Sequence, residues 1–252
     1  MNEQTKVPSH AKPGHTGRRV VFVALMALFI TVGAVAAYQL ITTQARYGQA
    51  QSEYQGLRQS FGPKDHDSTG PAEEDQPRVI DHAALAQVNP DYIGWLTIPG
   101  TVIDYPVVQG NDNVHYLTTT FEQTANPSGA IFADHQCQGG LAAQLCLLHG
   151  HNMKDGSMFA SLNQYLDPAF EAQHSLVHVD TPDQGEQEYT VFAVKLTDVW
   201  DSVYVSLDQD QQASETILAR YGAAPGGQVL ALSTCTNSAD RDERLIVYAV
   251  KY

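Results

Sequence analysis

The chain has 252 residues, a formal net charge of −14, and only 14 Lys and Arg against 28 Asp and Glu. That balance argues against nucleic acid as a partner, because phosphates are met by clustered Lys and Arg. The length suits one or two domains, and three cysteines are too few for a disulfide-rich scaffold.

Residues 1–19 are polar, lack periodicity, and read as a short tail. Lys6, Lys12, Arg18 and Arg19 precede an uncharged apolar run that begins at Val20 and ends at Ile41. A run of roughly 20 apolar residues is long enough to span a bilayer as a helix. The basic flank predicts a cytoplasmic N-terminus and an extracellular remainder. A cleaved secretory signal is the competing reading, with small residues at Ala34 to Ala37 as its cleavage region. Residues 42–78 read as a stalk: a solvated helix over Thr42 to Phe61, then a linker with Gly-Pro pairs and the acidic cluster Glu73 to Asp75.

The folded domain is expected over 79–252. Asp81 is placed to cap a helix over His82 to Val88, which Asn89-Pro90-Asp91 ends. Short β-rich runs follow at Ile93 to Ile98, Val102 to Val108, Ala130 to Ala133 and Leu145 to Leu148. Met158 to Tyr165 reads as a helix ended before Asp167-Pro168. Leu176 to Asp180, Glu188 to Leu196 and Ser202 to Val205 read as strands, and Ser214 to Tyr221 as a helix. Two apolar runs close the chain, Val229 to Leu232 and Leu245 to Val250. Many short strands with few helices predict a mainly β domain, an antiparallel sheet closed as a barrel or folded as a sandwich.

The chemistry gathers at the ends of those strands. Cys235 follows the first of the two closing runs, and Arg244 directly precedes the second. If the strands pair, thiol and guanidinium come within reach, and a fixed cation favours the thiolate that a nucleophile needs. The alternative is a small apolar residue capping a strand. His149 and His151 end another strand. Histidine titrates near neutrality and serves as acid or base, while His-x-His also suits zinc, with Asp134 and His135 as further ligands. Outside the cytoplasm Cys137 and Cys146 are candidates for a disulfide, leaving Cys235 as the free thiol. The alternative makes Cys137 an exposed loop thiol and Cys146 a buried strand residue.

In this order and spacing, several segments together resemble the sortase family, class B. Asn89-Pro90-Asp91-Tyr92-Ile93-Gly94-Trp95-Leu96, Ile103-Asp104-Tyr105-Pro106-Val107-Val108-Gln109, and Asp112-Asn113 with Tyr116-Leu117 carry its opening. Gly129-Ala130-Ile131-Phe132, Gly150-His151-Asn152-Met153, Gly156-Ser157-Met158-Phe159 and Leu232-Ser233-Thr234-Cys235 carry the rest. His149 departs from the pattern, where Tyr is common.

The resemblance implies a closed β-barrel with flanking helices, one of them around Met158 to Tyr165. It implies a membrane-anchored cysteine transpeptidase with Cys235 as nucleophile, His151 as acid and base, and Arg244 as oxyanion donor. Asn113, Leu117, Ser233 and Thr234 are the implied substrate-groove residues. The partners implied are secreted proteins with a C-terminal sorting signal of the Asn-Pro-x-Thr-x kind, and an amine of peptidoglycan precursor or a pilin lysine. No metal or organic cofactor is implied. Other readings are an extracellular cysteine enzyme acting on wall peptides, a catalytically silent sortase-fold scaffold, and a His149/His151 metal protein.

Overall fold

The computed structural model describes residues 15–62, 79–204 and 210–252. The expected polar tail before His15, the linker over 63–78, and Val205 lie outside the described residues.

The chain divides into two compact units, Met1–Ala45 and Arg46–Tyr252. One helix, α1 (His15–Phe61), supplies the described part of the first and enters the second. Its apolar stretch, beginning at Val20, has a mean hydropathy of 2.7 and exposed side chains, which makes it a candidate membrane span. From Arg46 onward the helix differs from the solvated stalk expected of it. Ala50, Tyr54 and Leu57 recur at helical spacing and are buried in the core of the second unit. That unit therefore begins upstream of the expected boundary at Val79.

The second unit is a closed barrel of eight strands. They are β1 (Tyr92–Thr97), β2 (Asp104–Val108), β3 (Ile131–Ala133), β4 (Leu145–His149), β5 (Leu176–Thr181), β6 (Gly185–Asp198), β7 (Gln228–Cys235) and β8 (Glu243–Lys251). Around the barrel the order is β1-β2-β3-β4-β7-β8-β6-β5, with β5 pairing back to β1. The sheet is mixed: β2–β3 and β4–β7 are parallel, so the expected all-antiparallel sheet is corrected at two joints. Parallel neighbours need long crossovers, and the chain supplies them in residues 109–130 and 150–227. β4 and β7 are apolar on consecutive positions because both faces are covered, the outer one by α4 (Asp210–Arg220).

Local polar bonds explain the differences from the sequence reading. The helix α2 (His82–Val88) starts where expected, with the Asp81 carboxylate accepting from the Ala84 amide at 3.0 Å. The helix expected over Met158 to Tyr165 is instead a 3-10 helix over Ala160–Leu166. The Met158 amide donates to the Tyr105 hydroxyl and the Phe159 amide to the His151 carbonyl, so helical bonding begins only after them. The 3-10 helix ends at Leu166, before Asp167-Pro168 as expected, and the same pair opens the next helix: Asp167 caps α3 (Pro168–Gln173), with Pro at its first turn. The strand expected from Ser202 is a 3-10 turn over Ser202–Tyr204, folded back by Val203 and Tyr204 amides that both donate to Asp201. β6 is longer than expected at both ends because its polar start pairs with the end of β5 and its last residues, Thr197 and Asp198, pair with the start of β8.

Candidate active site

Three strands end or begin at one point of the barrel rim. β4 runs parallel to β7, with Leu145 opposite Val229 and His149 opposite Ser233. The pairing continues past the end of β4. The Gly150 amide donates to the Ser233 carbonyl at 3.2 Å, and the Thr234 hydroxyl donates to the Gly150 carbonyl at 2.8 Å. That brings His151 level with Cys235. β8 runs antiparallel to β7 and sets Arg244 opposite Cys235. Histidine, cysteine and arginine therefore occupy adjacent positions on three neighbouring strands or their extensions. Gly150 is required at this crossing, since a Cβ there would lie 2.6 Å from Ile131 and from the Phe159 ring.

Each side chain has a defined setting. Cys235 is a free, exposed thiol. The His151 Nε2 lies 2.7 Å from the Leu117 carbonyl oxygen; a carbonyl only accepts, so this nitrogen carries hydrogen. The Arg244 guanidinium donates through Nη1 to the Arg241 and Glu243 carbonyls at 2.7 and 2.9 Å. Those two bonds orient the fork and leave its other N–H groups for a ligand. Arg241 thus serves the site through its backbone.

The cleft beside them has a volume of about 430 Å³. Asn113, Leu117, Ser233 and Thr234, the four expected groove residues, all line it together with His149, His151, Cys235 and Arg244. Thr234 is buried and acts as the tie to Gly150 described above. Ser233 is buried too, with its hydroxyl 2.7 Å from the Tyr204 hydroxyl.

Phe132, Asp134, Val199 and Tyr204 also line the cleft, and none was expected as a groove residue. The His149 ring is stacked between Phe132 and Tyr204, with centroids 5.0 and 6.2 Å away. Its Nε2 lies 3.0 Å from Asp134 Oδ2, which also accepts from Asn113 Nδ2 at 2.7 Å. Burial alone would raise the Asp134 carboxyl, but hydrogen bonds from His149, the Gln136 amide and Asn113 outweigh it and hold the group below the ordinary carboxylate range. Burial pushes Tyr204 up to about 12, against the opposing pull of Ser233 and Arg244. It is a neutral phenol at working pH. Periodicity could not reveal Tyr204, which sits on an irregular turn.

His149 and His151 turn to different partners, Asp134 and Leu117. Among the described residues no group of three or more His, Cys, Asp or Glu is arranged to hold a metal ion. Cys137 and Cys146 both stand as buried free thiols; of the settings considered for them, the exposed loop position of Cys137 is corrected. They lie in hydrogen-bond contact as thiols.

Known proteins carry the same architecture. A sortase domain model matches residues 96–252. Sortase B of Listeria monocytogenes is 30% identical over 174 residues, covering 65% of this chain and 70% of that protein. Sortase B of Staphylococcus aureus is 26% identical over 246 residues, covering 92% of this chain and 95% of that one. Among solved structures, sortase B of Bacillus anthracis in complex with AAEK1 superposes with a TM-score of 0.63 at 25% identity, covering 82% of this chain and 97% of that chain. A barrel of this kind, a free cysteine at a strand end and matches over most of the chain lead to one assignment: the chain belongs to the sortase family of cysteine transpeptidases, class B.

Proposed function

We propose that Cys235 is the nucleophile, His151 the acid and base, and Arg244 the oxyanion donor of a transpeptidase that reads an Asn-Pro-x-Thr-x-like sorting signal. The observation that carries this reading is the register that sets Cys235 opposite Arg244 and level with His151. The Cys235 thiolate attacks the carbonyl carbon of the signal's Thr. The carbonyl π electrons move to oxygen, where the free N–H groups of Arg244 stabilise the charge. The C–N bond then breaks, and His151 gives the departing amine its proton. A thioacyl enzyme remains. An incoming amine attacks it, His151 takes the amine's proton, and the thiolate leaves as the new amide forms.

Asn113, Leu117, Ser233 and Thr234 form the groove for the signal. Ser233 acts with Tyr204, whose phenol remains a hydrogen-bond donor across the working range. The acceptor is an amine of the cell-wall precursor or a pilin lysine. The apolar stretch from Val20 anchors the protein with its basic flank in the cytoplasm and the catalytic domain outside.

Single substitutions in the full chain test the roles. Cys235→Ala should abolish cleavage of a signal peptide. His151→Ala and Arg244→Ala should each lower kcat/KM by roughly 100-fold or more, with Tm little changed. Retained turnover by Cys235→Ala would refute the assignment.

A further inference from the structure

Two of the three thiols stand apart from the transpeptidase chemistry. Cys137 closes a turn that begins at Asp134, its amide donating to the Asp134 carbonyl at 3.0 Å. Gln109 Nε2 donates to the carbonyls of both Asp134 and Cys137 at 2.9 Å and fixes that turn. Cys146 lies within β4. The Leu147 amide donates to the Cys137 sulfur at 3.2 Å, which holds Cys137 against β4 beside Cys146.

The two thiols are chemically unequal. The hydrogen bond from Cys146, assisted by the Leu147 amide, stabilises charge on Cys137 and lowers its pKa despite burial. The same bond and complete burial push Cys146 up. Thiol–disulfide exchange needs an attacking sulfur with thiolate character and a second sulfur at hand to resolve the mixed disulfide. This pair supplies both, and because both sulfurs are buried the oxidant reaches Cys137 only when the turn that begins at Asp134 opens locally. Cys235, at the exposed end of β7, takes no part in the pair and remains a free thiol.

We propose that Cys137 and Cys146 form an oxidative cross-linking site, closed to an intramolecular disulfide by exchange with a disulfide-bearing thiol oxidant. The Cys137 thiolate attacks one sulfur of the oxidant, and the other oxidant sulfur leaves and takes up the proton that Cys137 lost. Cys146 then attacks the Cys137 sulfur in the mixed disulfide. The second oxidant sulfur leaves with the proton from Cys146. One protein S–S bond forms, the oxidant's S–S bond breaks, and the oxidant emerges as two thiols.

The bond would join the turn bearing Asp134 to the strand bearing His149. Asp134 and His149 already touch in the cleft wall, so the cross-link would hold that wall in register. It closes a loop of roughly ten residues, and short loops of this kind stabilise chiefly by restricting the unfolded chain.

The full chain in detergent micelles is equilibrated in buffers of reduced and oxidised glutathione, starting from both the reduced and the oxidised protein. It is then quenched with N-ethylmaleimide in denaturant and mapped by peptide mass. In the oxidising buffer the expected product is a linked Cys137–Cys146 peptide, with glutathione on Cys235 as the sign that exchange has run. The oxidised form should melt about 5 °C above the reduced form. Cys137→Ala should remove both the linked peptide and that difference. The proposal is overturned if Cys137 and Cys146 remain separately alkylated, or each carries its own glutathione, while Cys235 has exchanged. Neither result bears on catalysis by Cys235, because the pair lies outside the reacting groups.

Discussion

Tyr54 on α1 donates its hydroxyl to the Gly129 carbonyl at 2.7 Å, across 75 positions of sequence. Gly129 has a φ of 58°, and a Cβ there would lie 2.4 Å from the Tyr116 carbonyl, so the loop fits this contact only as glycine. The Ala130 amide donates to that same Tyr116 carbonyl, and the next carbonyl, Leu117, receives His151. The second half of α1 is thus joined to His151, the proposed acid and base, through Gly129-Ala130 and Tyr116-Leu117.

It follows that the catalytic domain needs residues from Arg46 onward. Tyr54→Ala should cost about 3 kcal/mol, as truncation of a buried aromatic does, and Tyr54→Phe about 1 kcal/mol for the lost bond. Urea unfolding of the full chain would measure both. A loss under 1 kcal/mol for Tyr54→Ala would make this helix a mere stalk.

Thr234 ties β7, which carries Cys235, to the segment that carries His151 through its bond to the Gly150 carbonyl. Thr234→Val keeps the shape and loses the hydroxyl. We expect kcat/KM to fall about tenfold, the cost of one hydrogen bond to a group that positions the site. The fall should lie in kcat more than in KM. Unchanged kcat would mean that His151 and Cys235 hold their spacing without this tie.

A mainly β domain was legible in sequence because its strands are apolar runs bounded by turn residues; the choice of a closed barrel over a sandwich came from the family resemblance. The ends of β7 and β8 were readable for the same reason, and so were Cys235 and Arg244. What escaped depends on contacts distant in sequence. Asp134 reaches His149 only when β3 and β4 pair, and Tyr204 reaches Ser233 only when its turn folds over β7. Ala50, Tyr54 and Leu57 form a stripe too sparse to stand out among Gln, Arg and Ser until the core that covers them is known. The 3-10 elements are set by single side-chain bonds, to Tyr105 at one place and Asp201 at another, which leave no periodic trace.

Asp134 also predicts an acid response. Its folded pKa is depressed, so the stability it contributes is present above the unfolded value near 4 and is lost as pH falls through the lower folded value. Asp134→Asn removes that dependence. The Tm difference between wild type and variant should therefore be largest near neutrality and shrink as pH falls below about 4. A difference constant with pH would show that the carboxylate's charge is irrelevant to His149 and Asn113.

Cys235 is proposed to take up the acyl group of a sorting signal. Intact-mass analysis of the full chain, mixed with Asn-Pro-x-Thr-x peptide and no added amine, tests it most directly. The expected result is a thioacyl adduct on Cys235 bearing the signal up to its Thr, and discharge of that adduct to an amide when an amine is added. Folded protein whose Cys235 alkylates readily, yet forms no adduct with this signal or with Leu-Pro-x-Thr-Gly, would contradict it.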